Sequence, residues 1–109
     1  MNFRKAIITG SISYKESPLN YPDKDIDAFS LTLEKRCRFN PEDISKILVK
    51  HDDKIDFISK IKEICNIWDK EKSNSYELLL FYYSGHGIYR QETRASYLQI
   101  TDDEFVSIE

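Results

Sequence analysis

Apolar residues along this chain fall into a few compact runs separated by two spaced stripes. Lys5-Ala6-Ile7-Ile8-Thr9 is short, β-branched and closed by Gly10, which predicts a buried strand. Ile44 to Val49 predicts a second, weaker strand, apolar at Ile44, Leu48 and Val49 but interrupted by Lys46. Leu78-Leu79-Leu80-Phe81-Tyr82-Tyr83 is continuous and runs into Ser84-Gly85. Its lack of alternation predicts a strand covered on both faces, as in a parallel sheet. A short strand, Tyr97-Leu98-Gln99-Ile100, follows what reads as a polar loop from Tyr89 to Ser96.

The stripes between these runs have helical spacing. Ile26, Phe29 and Leu33 predict a helix from about Asp25 to Cys37, with Pro22 and Asp23 as start signals and acidic residues suited to the helix dipole. Ile58, Ile61, Cys65 and Trp68, broadened by Ile55, Ile64 and Ile67, predict a second helix from about Lys54 to Lys70, capped by Asp52 or Asp53. Strand, helix, strand, helix, strand is the order of a parallel α/β sheet with right-handed crossovers.

Composition narrows the class. A length of 109 residues predicts one small domain, 1–109, able to bury about 65% of the surface its unfolded chain exposes. Sixteen basic against 19 acidic residues give a net charge of −3, which argues against nucleic acid as a partner. An aromatic content of 13% argues against disorder. No run approaches the roughly 18 apolar residues of a membrane span, so no membrane partner is expected. Ala6-Ile7-Ile8 is too short for the apolar segment of a signal peptide, and the expected location is cytoplasmic.

Ligands of open parallel sheets bind beyond the carboxyl ends of the strands. Two stretches occupy that position here, the loop from Gly10 to Asn20 and the string Ser84-Gly85-His86-Gly87. His86 stands just past a strand, between two residues free to adopt positive φ. An imidazole held at such a rim suits general acid and base work near neutral pH. The N–H of Gly87 suits an oxyanion, because no side chain blocks close approach. The alternative is that the glycines simply end a strand and His86 is inert. His51, in the polar turn His51-Asp52-Asp53-Lys54, reads as a solvated loop residue. Histidines and cysteines lack metal-ligand spacing, and Gly10 lacks the further glycines and lysine of a phosphate loop. No cofactor is implied. Cys65 on the helical stripe and Cys37 near the end of the first helix read as structural residues in a helical core.

The strand ending in Ser84-Gly85-His86-Gly87 resembles the histidine motif of caspase-like cysteine peptidases, which include caspases, metacaspases and bacterial relatives. Lys5 to Gly10 resembles the first strand of that family and Tyr14 its nearby aromatic. Asp25-Ile26-Asp27-Ala28 with Phe29, Leu31 and Leu33 resembles the acidic start and apolar face of its first helix. Tyr97 to Asp102 resembles the short strand ending in aspartate after the histidine loop. The resemblance implies a three-layer α/β fold with a mostly parallel sheet between helices. It also implies His86 as the catalytic imidazole, the Gly87 N–H as part of an oxyanion hole, and Asp25 as an acidic group of a pocket for basic side chains. Asn20-Tyr21-Pro22 supplies no arginine of the kind caspases use to hold an acidic side chain.

The family's nucleophilic cysteine normally lies in the next parallel strand, within an acidic-x-Cys-type stretch, and no such stretch follows the histidine loop before Glu109. The expectation is therefore the N-terminal, histidine-bearing part of a caspase-like cysteine endopeptidase, inactive alone. Its partners would be a peptide or protein substrate and a nucleophile-bearing segment or subunit. Without that segment, the strand at Tyr76–Tyr83 or that at Tyr97–Ile100 lacks a neighbour, and self-association through the exposed edge is expected. A non-catalytic regulatory module of the same fold is the alternative. A third reading, a hydrolase pairing His86 with Ser11, Ser13 or Ser84, lacks a Gly-x-Ser-x-Gly elbow.

Overall fold

The computed structural model describes residues 3–12, 14, 19–50, 57–71 and 77–108. Nine elements follow in order: β1 (Arg4–Ser11), α1 (Pro22–Arg36), a 3-10 turn (Pro41–Asp43), β2 (Ile44–Val49), α2 (Phe57–Glu71), β3 (Leu78–Ser84), β4 (His86–Arg90), β5 (Ala95–Gln99) and β6 (Phe105–Ser107). The first three strands form a parallel sheet in the order β2-β1-β3, with Ala6 opposite Ile44 on one side and Leu80 on the other. The last three form an antiparallel sheet in the order β4-β5-β6. The α/β class and mostly parallel main sheet agree with the sequence pattern.

The alternation of β1 assigns its two faces. Ala6 and Ile8 point to one side, where Ile26 and Leu33 of α1 and Phe39 close a core with Phe29, Leu48, Leu80 and Tyr82. The Phe29 ring stacks on Tyr82 at 4.1 Å. Ile7 points to the other side, where Phe57 and Trp68 of α2 pack with Ile47, Val49 and Ile100. Helices on both faces make the three layers expected of a parallel sheet. Residues Lys5 through Ser11 are consequently all buried. Lys5 is tolerated there because its ammonium meets Asp43 at 2.6 Å and lies over the rings of Phe3 and Trp68.

The helix ends follow local chemistry. Pro22 occupies the first turn of α1, where its missing N–H costs nothing, so the helix starts three residues earlier than the apolar stripe predicts. Arg38 takes the left-handed conformation (φ 59°) just past its end, and the Leu33 carbonyl accepts from both Cys37 and Phe39. For α2, the Lys54 start, the Ile55 position and the Asp52 and Asp53 caps lie outside the described residues, as does His51.

Four expectations are corrected. The stripe of α2 is rotated: Phe57, Ile61, Ile64, Cys65 and Trp68 face the sheet, while Ile58 and Ile67 are exposed. Leu31 of α1 is exposed rather than part of its apolar face. The stretch Tyr89 to Ser96 is no loop, since β4 continues to Arg90, a tight turn spans 91–94, and β5 begins at Ala95. Arg94 takes positive φ in that turn. Finally, β3 is not covered on both faces, because Leu79 and Phe81 are each 46% exposed. Among the described residues β3 pairs only with β1, so no described strand covers its outer edge, whereas β5, which contains Tyr97, is flanked by β4 and β6. No described helix is long and apolar enough to cross a membrane.

Candidate functional site

The strand order creates the site. From the centre of the sheet the chain crosses to β2 over one face by way of α1 and returns to β3 over the other by way of α2. The carboxyl ends of β1 and β3 lie side by side, with Gly10 opposite Ser84, and the crevice beyond such ends is the usual ligand position in open α/β sheets. Tyr14 follows β1 into this crevice, and His86 follows β3. Their rings lie 4.2 Å apart and tilted by 60°.

A compact hydrogen-bond network fixes His86. Its backbone N–H donates to Tyr14 Oη at 2.9 Å, and its carbonyl accepts from Tyr83 Oη at 3.1 Å. The two phenol oxygens are 2.9 Å apart, and both phenols donate to the carbonyl of Gln99. Burial, then the hydrogen bond and charge of Tyr14, hold the Tyr83 phenol far above its ordinary range, so it remains a neutral donor. Next along β1, Ser11 Oγ donates to the Ile100 carbonyl. These contacts fasten the end of β5 onto the carboxyl end of the parallel sheet.

The glycines serve this arrangement by size. None has positive φ, so the conformational freedom noted for the glycines beside His86 is not used. A Cβ at Gly85 would stand 2.4 Å from Tyr83 Oη and 2.7 Å from Tyr14 Oη, so only glycine leaves room for the phenol pair. A Cβ at Gly10 would stand 3.0 Å from both Ile26 Cδ1 and the Ser84 carbonyl, so this position lets α1 approach the strand ends. Gly87 lies on β4, the outer strand of the antiparallel sheet, and a Cβ there meets only ordinary contact, 3.6 Å from the Tyr97 carbonyl.

Asp25, in the first turn of α1, reaches the same rim. Its carboxylate accepts from Ser84 Oγ at 2.7 Å. The Tyr82 phenol is pushed up by burial first and by the charge of Asp25 second, against a smaller opposing hydrogen bond with Ser84. Asp25, Ser84, His86 and Gly87 thus gather at the ends of α1 and β3.

The cysteines lie elsewhere. Cys37 is exposed, not in a helical core, and its carbonyl accepts from Arg4 at the amino end of β1. Gly10 lies six strand steps beyond Arg4, about 20 Å at the usual strand rise. Cys65 is partly buried against the α2 core, where burial first and the charge of Asp69 second push its thiol up. A raised thiol is a poor nucleophile. Serine chemistry finds no support either, because Ser11 is buried on the Ile100 carbonyl and Ser84 is committed to Asp25. Ser13 lies outside the described residues.

Sequence reasoning missed Tyr83, the Ser84–Asp25 bond and the Gln99 carbonyl. A signal for the first was available, because the apolar run of β3 ends in two hydroxyl-bearing rings that need partners when buried.

A family model described as the caspase domain matches residues 3–109. No curated protein and no solved structure matches the chain.

The two glycines beside His86 are expected to respond differently to a methyl group. Gly85→Ala should lower unfolding stability by about 2–3 kcal/mol through overpacking, and Gly87→Ala by less than about 1 kcal/mol. Urea denaturation of the two variants checks the contrast.

Proposed function

The chain belongs to the caspase-domain family, and on that premise we propose that it supplies the histidine half of a cysteine endopeptidase. Such a peptidase acts on peptide or protein substrates. The observation that carries the proposal is His86 just past the carboxyl end of β3, its backbone held at both N–H and carbonyl while the residue stays partly exposed at the rim.

The nucleophile comes from a cysteine outside this chain, a reading supported by Cys37 lying beside the amino end of β1 and by Cys65 packing into the α2 core with its thiol pushed up. In the reaction, a thiolate adds to the carbonyl carbon of the scissile peptide, and its electron pair forms the C–S bond as the carbonyl oxygen becomes an oxyanion. The Gly87 N–H donates to that oxygen. His86, as imidazolium, gives its proton to the amide nitrogen while the C–N bond breaks, leaving a thioester and a free amine. The neutral imidazole then takes a proton from water as that water adds to the thioester, and the thiolate leaves. Asp25 lines the pocket for the side chain preceding the cleaved bond and selects basic residues there.

The nucleophile-bearing segment adds to the open edge of β3, whose seven residues carry no charge to discourage pairing. In the isolated chain a second copy takes the same edge. A non-catalytic regulatory module is the second reading, favoured by Cys37 lying beside the amino end of β1 and Cys65 packing into the α2 core. The location is taken as cytoplasmic.

His86→Ala, assayed with the cysteine-bearing partner present, is expected to abolish peptide cleavage with circular dichroism unchanged; cleavage that persists would refute the assignment. For the edge, sedimentation equilibrium should show a concentration-dependent dimer that Phe81→Lys dissolves. A monomer at every concentration contradicts edge pairing.

A further inference from the structure

An imidazole that must move a proton in two directions needs a fixed orientation, since misplacement by about 1 Å can cost 100-fold in rate. Rigid placement begins with the backbone. Both polar backbone groups of His86 are bound, the N–H by Tyr14 and the carbonyl by Tyr83, so its φ and ψ are held and with them the direction of Cα–Cβ. The direction of the imidazole then depends on χ1 and χ2, and the Tyr14 ring, 4.2 Å from the imidazole centroid, occupies one side of that space.

The proton count is consistent with a closed network. Each phenol has one proton to give. Within reach stand the Gln99 carbonyl, with two lone pairs, the His86 carbonyl and the partner phenol. Tyr14 Oη accepts from the His86 N–H and donates to Gln99, and the single Tyr83 proton is shared between the Gln99 and His86 carbonyls, both within its reach. Donation through Tyr14 polarises its oxygen and strengthens its hold on the His86 N–H. Gly85 is the space this network needs, because any Cβ there would collide with both phenols.

We propose that Tyr14 and Tyr83 are positioning residues for the His86 imidazole, Tyr14 by packing its ring against it and both by tying the His86 peptide groups to the Gln99 carbonyl. The inference rests on the reading of His86 as the reacting group, and its test separates the two. Neither tyrosine touches substrate in this account. Both act through His86.

The first measurement uses the 109-residue chain itself. Tyr14→Phe keeps the ring and removes the hydroxyl, so the His86 amide should exchange with solvent about tenfold faster while the amides of Ile7 and Ile8 stay protected. Unchanged exchange at His86, or equal loss at all three amides, overturns the proposal, the latter because the hydroxyl then serves global stability alone. Tyr83→Phe is the second variant, and failure of both to fold also overturns it.

The second measurement uses the cysteine-bearing assembly. Each Phe variant should lower kcat about tenfold with KM unchanged, and the double variant should lose less than the product of the two, because the hydroxyls share one carbonyl. Full kcat in both variants, beside an inactive His86→Ala, sinks the positioning role and leaves the catalytic reading standing. An active His86→Ala sinks the catalytic reading, and amide exchange alone then decides whether the phenols fix the His86 backbone.

Discussion

Strand β1 has no exposed side. Its neighbours β2 and β3 pair with it on either edge, α1 covers Ala6 and Ile8, and α2 covers Ile7. A strand enclosed in this way sends the chain to its two outer neighbours over opposite faces, and the carboxyl ends of β1 and β3 then lie side by side, Gly10 opposite Ser84. The crevice that holds His86 follows from that enclosure. So does the closeness of Asp25, because α1 must begin beside the end of β1 and Gly10 lets it approach within contact of Ser84.

The carboxyl end of the sheet could have been left to solvent, as in many α/β proteins. Here the antiparallel sheet is fastened across it through two backbone carbonyls, Gln99 and Ile100, reached by Tyr14, Tyr83 and Ser11. Hydrophobic packing joins in on the α2 side, where Ile100, Leu98 and Val106 meet the core around Phe57. Polar partners at the strand ends and apolar partners behind them fix the approach of β4, on which Gly87 sits next to His86. The site is therefore a junction between two sheets, and its precision depends on buried hydroxyls that each have a partner.

Much of the main sheet was legible because its signals are local. The apolar runs delimit β1, β2 and β3 to within a residue or two, and the spacing of Ile26, Phe29 and Leu33 identifies the buried face of α1. His86 was legible from its place after a strand. The antiparallel sheet was not, since β4 is an outer strand exposed from Gly87 to Arg90, and β6 is three residues long. Neither carries a period. The run in β3 misled for a related reason: continuous apolarity records what a strand is built to pack against, whereas Leu79 and Phe81 are exposed beside an open edge. Gly85 was read as a conformational device, but its role is volume, which becomes visible only when Tyr14, distant in sequence, meets Tyr83 above it.

The central claim is that the reacting centre forms between His86 and Gly87 at the end of β3. A crystal structure of the cysteine-bearing assembly with a peptidyl aldehyde bound tests it most directly. The aldehyde traps the thiolate as a tetrahedral adduct whose oxygen stands where the oxyanion would. The account predicts that oxygen at about 3 Å from the Gly87 nitrogen, with the His86 imidazole beside the adduct and Tyr14 still against its ring. An adduct formed away from this crevice, or one to which His86 and Gly87 make no contact, would contradict it.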